Sequence, residues 1–333
     1  RRVHGGRKLL YVQFPAMFVE ILLGVLAYAI YRRLFHDKVD FFEADSSDTT
    51  VLFAVAKRLE KLYGGRAFTG LRIPDADSGS LQSIDLVLVT DREGIVISVK
   101  NLSGNFSICQ DGSLVCEDTT KRNKNPLLDP VEDVKKQACV LKSYLERRDL
   151  ALPDGYLSYK VVFPNPQFQL ATSSRIPEEI VAYEEWKDLK PSQNIVSKWL
   201  QGALSKRKEM RESIVERLNL ILSTSPMWDR LELKDKLVLG EFMEFKGKES
   251  DLITLKSIKR SKVSRIAIQK FSMLGFAPSK VQLLFYPREY GDDTASFNEL
   301  TVTANVEVAF RSQNDVKVRK YKLSSVLSLL FSV

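Results

Sequence analysis

Residues 84–104 read IDLVLVTDREGIVISVKNLSG, two apolar runs joined by a short polar turn. Side chains alternate across a strand. In the second run Ile95, Ile97 and Val99 therefore face one way, and Val96, Ser98 and Lys100 the other. A strand that is apolar on both faces belongs inside a sheet covered on both sides. The residues that cover it must come from elsewhere in the chain.

The flanking segments supply the cover. Residues 45–63, DSSDTTVLFAVAKRLEKLY, carry Val51, Leu52, Val55, Leu59 and Leu62 on one stripe, a helix with Ser47 or Asp48 as cap and Gly64-Gly65 as its stop. Residues 131–147 repeat the pattern with Val134, Ala138, Leu141 and Leu145, and Gln137 borders that face. Strands are expected over 84–90, 94–100 and 157–163, with a further hairpin over 105–117. Together these make an α/β unit over 45–185. A connecting helix follows within 186–225. From Pro226 the texture becomes short alternating strands with polar turns, which predicts a small antiparallel β domain over 226–333, a barrel or a sandwich.

The longest apolar run, LLYVQFPAMFVEILLGVLAYAIY at 9–31, is long enough to cross a bilayer. Glu20 costs ~2 kcal/mol or more near mid-membrane, and the Leu/Ile/Val/Ala run after it offsets that. A single-pass transmembrane helix is expected at roughly 14–33, making residues 1–44 a membrane anchor; a buried helix or an uncleaved signal are the alternatives. Arg and Lys flank both ends, so orientation is undetermined. Residue 1 is Arg, so the numbering begins after a processed presequence or within a longer chain.

Composition bounds the chemistry. Three cysteines, Cys109, Cys116 and Cys139, make neither a disulfide framework nor a zinc site. A Gly112-Ser113 turn would set Cys109 opposite Cys116 and an Asp111-Gly112 turn would separate them; two reduced, half-buried thiols are expected. The two histidines, His4 and His36, flank the apolar run, which excludes a histidine triad or metal cage in the folded region. A net charge of +8 admits an anionic partner.

One face of the strand pair carries Asp85, Ser98 and Lys100. Asp and a second acid on such a scaffold hold Mg²⁺ or Mn²⁺, hard cations that prefer oxygen, and a nearby lysine stabilises charge on a phosphate. Ile84-Asp85, the turn at Gly94, Ser98-Val99-Lys100-Asn101 and Gly104 resemble the nuclease-related domain (NERD) family, a branch of the PD-(D/E)XK nuclease-like fold. Asn125-Pro126 followed by a helix bearing Gln137 extends the resemblance to roughly residues 45–165. It implies a restriction-endonuclease-like core, with Asp85, Ser98, Lys100 and Gln137 at the catalytic positions and Mg²⁺ or Mn²⁺ as cofactor if the site is active. Where the family has Glu this chain has Ser98, which supplies no charge. Asp48 either replaces a missing acid as a metal ligand beside Asp85 or only caps its helix, and Glu60 and Glu132 are further candidates to enter the site. The remainder of the chain resembles plant proteins carrying this domain, which with the initial Arg implies an organelle, a chloroplast being the expectation.

The densest basic run holds Lys256, Lys259, Arg260, Lys262 and Arg265. It suits nucleic-acid phosphates, an acidic protein or lipid surface, or plain solvation. Three functions follow: a membrane-anchored protein with a degenerate nuclease centre, acting as scaffold or subunit of an assembly with other proteins; an active Mg²⁺-dependent nuclease with a relocated acid; or a protein tethering DNA or RNA to a membrane.

Overall fold

The computed structural model describes residues 48–109, 111–116, 129–171, 176–189, 208–256, 258, 260–270, 280–288, 298–313 and 315–332. The apolar run at 9–31, the Asn125-Pro126 pair and Lys259 lie outside them. Among the described residues no helix is long and apolar enough to cross a membrane. Residues 44–333 form one compact unit of mixed α/β character.

The chain enters through helix α1 (Asp48–Tyr63), which Gly64 ends at a φ of 68°. Strands β1 (Arg66–Pro74), β2 (Leu81–Val89) and β3 (Gly94–Val99) follow as an antiparallel meander. After a hairpin of β4 (Gly104–Ile108) and β5 (Leu114–Cys116) comes helix α2 (Pro130–Glu146). Its start is set by Asp129, whose Oδ1 accepts the amides of Val131 (2.9 Å) and Glu132 (3.2 Å), and by Pro130 in the first turn. Strand β6 (Leu157–Val162) then pairs parallel to β3, as a strand reached by a helical crossover can. The short strands β7 (Phe168–Leu170) and β8 (Ile180–Val181) extend the two sheets, and the single-turn helix α3 (Tyr183–Asp188) carries the buried Trp186. The main sheet reads β1-β2-β3-β6-β8 and the small one β5-β4-β7.

The twofold cover expected for β3 is present. Val87, Val89 and Val96 share a core with Val134, Ala138, Leu141 and Leu145 of α2. Leu86, Leu88, Ile95 and Ile97 point the other way and are 0–2% exposed. Helix α1 packs on β1, β2 and β3 and buries Val51, Val55 and Leu59.

Helix α4 (Lys208–Ser223) is more than a connector, because Leu218, Ile221 and Leu222 enter the same core as α2. It leads to Pro226-Met227-Trp228, which covers the free edge of β1. Pro226 O accepts the Arg72 amide, Gly70 O accepts the Trp228 amide, and Leu71 bridges Met227. The edge is covered in this way over residues 70–72, which blocks further pairing there. Gly70 makes it possible: its φ is 68°, and a Cβ there would meet Leu239 at 3.0 Å.

The remaining strands are β9 (Asp229–Leu233), β10 (Leu237–Lys246), β11 (Val263–Lys270), β12 (Lys280–Pro287), β13 (Asn298–Thr303), β14 (Glu307–Ser312), β15 (Val318–Lys322) and β16 (Val326–Leu330), with helix α5 (Glu249–Leu255) after β10. They form one antiparallel sheet ordered β13-β12-β11-β16-β9-β10-β14-β15. Only residues 304–306 join β13 to β14, which stand first and seventh in that order. Six strand spacings would span about 29 Å in a flat sheet, and four chain steps reach about 14 Å at most. The sheet is therefore rolled, with a seam between β13 and β15.

Two expectations need correction. Cys116 pairs with Phe106, and the Cys109 amide donates to Ser113 O, a register that neither two-residue alternative gives and that separates the thiols. Cys109 is also exposed where half-burial was expected.

Glu93, at the β2–β3 turn, is 6% exposed. Burial pushes its carboxyl up to about 7, against the Ser158 hydroxyl, which donates to Oε2 at 3.3 Å, and the Lys160 charge. A carboxyl raised in the folded state favours folding below its unfolded value near 4.5, and that contribution is lost as pH rises through about 7. Glu93→Gln should raise unfolding stability by ~2 kcal/mol at pH 8 and by little at pH 4. Urea denaturation at the two pH values measures it; an equal effect at both would refute the burial argument.

Candidate functional site

The register Leu86↔Ile97 and Val87↔Val96 sets Asp85 directly opposite Ser98. Ser98 is fully buried, and its Oγ donates to Asp85 Oδ2 at 3.2 Å; the Val99 amide donates to the same oxygen at 3.0 Å. Burial pushes the Asp85 carboxyl above the usual carboxylate range. The Lys100 charge and these two donors pull it back, and the Asp133 charge adds to the push.

Asp85 opens into a cavity of about 360 Å³ where β2 begins and β3 ends. Asp48 at the start of α1, Lys100 and Asn101 after β3, and Asp133 and Gln137 on α2 line it with Asp85. Two residues of the rolled sheet region, Leu239 on β10 and Gln313 after β14, line it as well. Gln313 Nε2 donates to Ser83 Oγ at 2.9 Å, and Trp228 Nε1 donates to the same hydroxyl at 3.1 Å. Asn101 Nδ2 reaches Asp48 Oδ1 at 3.4 Å, and its own Oδ1 accepts Asn165 Nδ2 at 3.0 Å.

Of the residues anticipated for the site, Asp85, Lys100, Gln137 and Asp48 line one cavity, while Ser98 lies behind Asp85 and supports it. Glu60 does not enter: its Oε1 accepts the Ala67 amide at 2.8 Å. Glu132 does not enter either and pairs with Lys135 on the surface.

The residue that sequence reasoning missed is Asp133. Gln137 Nε2 donates to its Oδ2 at 3.1 Å, while Gln137 Oε1 is buried without a hydrogen-bond partner. The signal was available, since Asp133 precedes Gln137 by four residues and so shares its helix face.

The donor set does not fit a hard divalent cation. Such an ion prefers several converging carboxylates, and among the described residues no three His, Cys, Asp or Glu side chains stand together closely enough to hold a metal. Asp85 spends Oδ2 on Ser98 and Val99, and Asp133 spends Oδ2 on Gln137.

The described members of the basic run have separate uses. Arg260 pairs with the buried Asp229 at 2.7 Å, Arg265 lies over Tyr286, and Lys256 and Lys262 are exposed.

Ser98→Ala removes one of the two hydrogen bonds described to Asp85 Oδ2 and should cost about 1 kcal/mol at neutral pH. Urea denaturation reads this, and unchanged stability would mean that the hydroxyl contributes nothing.

Comparison with characterised proteins and with solved structures yields no significant match. The family model of the nuclease-related domain matches residues 49–164. That interval runs from α1 through β6 and includes Asp85, Ser98, Lys100, Asp133 and Gln137, whereas Leu239 and Gln313 fall outside it. Residues 49–164 are therefore a nuclease-related domain (NERD), and the cavity they line is closed on one side by Leu239 and Gln313 from beyond that interval.

Proposed function

We propose that this protein keeps the restriction-endonuclease-like core of its family without metal-dependent cleavage and serves as a membrane-anchored scaffold or subunit of an assembly. One observation carries the reading. Opposite Asp85, where the family pattern has Glu, stands a buried serine whose hydroxyl donates to the aspartate. A second carboxylate there would share charge and cation with Asp85; a serine neutralises nothing and satisfies the aspartate internally.

The membrane part of the proposal rests on the apolar run at 9–31. The corresponding location is an organelle membrane, a chloroplast one by the plant resemblance. Extraction of membranes with alkaline carbonate tests it: the protein should stay in the pellet, and release into the supernatant would exclude a spanning anchor.

A second reading, an active nuclease with a relocated acid, is favoured by Asp133, which faces the cavity and acts on Asp85 through its charge. Calorimetric titration of the full chain with Mn²⁺ separates the two. The first reading expects no tight binding by the natural protein and a gain in Ser98→Glu. Tight binding by the natural protein that is lost in both Asp85→Ala and Asp133→Asn would support the second reading and justify nuclease assays.

A further inference from the structure

The rolled sheet holds a second cavity, of about 450 Å³, between β10, α5 and Phe331. Phe242, Met243, Phe245, Leu252 and Ile258 form most of its wall with Phe331. A volume in the range of about 300–1,000 Å³ is typical of small-molecule sites.

The wall is the product of a specific irregularity. Phe242 and Phe245 are three residues apart and on a regular strand would point to opposite faces. Against β14, Phe242 pairs with Phe310 and Glu244 with Ala309, so Met243 is an extra residue, a β-bulge. Beyond it Phe245 pairs with Val308, which returns it to the face of Phe242. The two rings then meet at 4.9 Å and 56°, and Phe242 meets Phe331 edge-on at 5.3 Å. Rings set at 56° and 75° to one another form an uneven apolar wall with no parallel-sided slot between them. The bulged Met243 is itself 46% exposed at the mouth.

The mouth is cationic. Lys256 ends α5 and is exposed. The Arg260 guanidinium stands beside it, its side chain 41% exposed and its charge matched by the buried Asp229 at 2.7 Å. Glu244, the one acid in the lining, is matched by Lys246 at 2.9 Å.

From this apolar wall, opened by a bulge and rimmed by Lys256 and Arg260, we infer that the C-terminal sheet binds a single-chain amphiphile, an acyl chain with an anionic head. The chain occupies the phenylalanine cleft and the head meets the Lys256 charge, with the outer face of the Arg260 guanidinium beside it, a charge match that a cationic or neutral amphiphile lacks. Free fatty carboxylates and lysophosphatidates share this chemistry.

The test uses the full chain and a palmitate analogue carrying a photoactivatable diazirine, with cross-linked peptides located by mass spectrometry. Label should concentrate in residues 242–258. Excess oleate or 1-oleoyl-lysophosphatidate should displace it, and the stronger competitor identifies the natural head group. Oleylamine should compete at least about fivefold more weakly, and Lys256→Glu should reduce labelling about fivefold, the scale of one exposed charge contact. Met243→Glu alters an exposed side chain and should reduce labelling about tenfold, with a thermal melt confirming its fold. Label scattered without preference for the cleft would overturn the proposal. So would equal competition by oleylamine, or natural labelling of Met243→Glu. A dimer that Met243→Glu dissociates in sedimentation would give the cleft to a second copy of the chain and overturn it too.

Discussion

A strand that is apolar on both faces cannot stand at the surface, and the geometry of this protein depends on covering one. Strand β3 buries Ile95, Val96 and Ile97 almost completely. Two helices separated in sequence must therefore lie against its sheet. The cover by α1 and α2 brings Asp48 and Asp133 to the end of the sheet where Asp85 and Lys100 emerge. The site is in this sense a by-product of core formation: the packing that removes apolar surface from water also positions the polar side chains.

That position has an electrostatic consequence. Asp85 is partly removed from water, and the groups that compensate it are a hydroxyl, an amide and a lysine charge. A metal centre would compensate buried acids with the ion itself and would need several of them converging. Here the compensation comes from within the chain.

The C-terminal sheet is tied into the same arrangement. Ser83 accepts from both Trp228 and Gln313, and the Arg72 guanidinium lies 4.0 Å from the Trp228 ring. These contacts close the free edge of β1 and set Leu239 and Gln313 beside the cavity. Residues 49–164 thus do not line this cavity alone, and the wall facing β10 belongs to the part of the chain beyond the family match.

Much of this was legible in the sequence because local chemistry carried it. The period of α1 and α2, the two-faced β3, the Asp85–Ser98–Lys100 face and the change of texture at Pro226 all follow from side-chain alternation and helical spacing. Strand β1 did not declare itself, since Gly70 interrupts RAFTGLRIP and its ends are Arg66 and Pro74; pairing with β2 and cover by Met227 make it a strand. Asp133 shares the helix face of Gln137, which the four-residue spacing made legible, and the seating of α2 on the sheet set that face toward the cavity of Asp85. The bulge at Met243, the roll of the C-terminal sheet and the entry of Gln313 into the site likewise arise from partners distant in the chain. The sequence by itself determined which residues must be buried and which face of a strand carries chemistry, because those depend on neighbours one to four residues away. Tertiary structure alone decided which acids meet, because that depends on how separate elements close over one core.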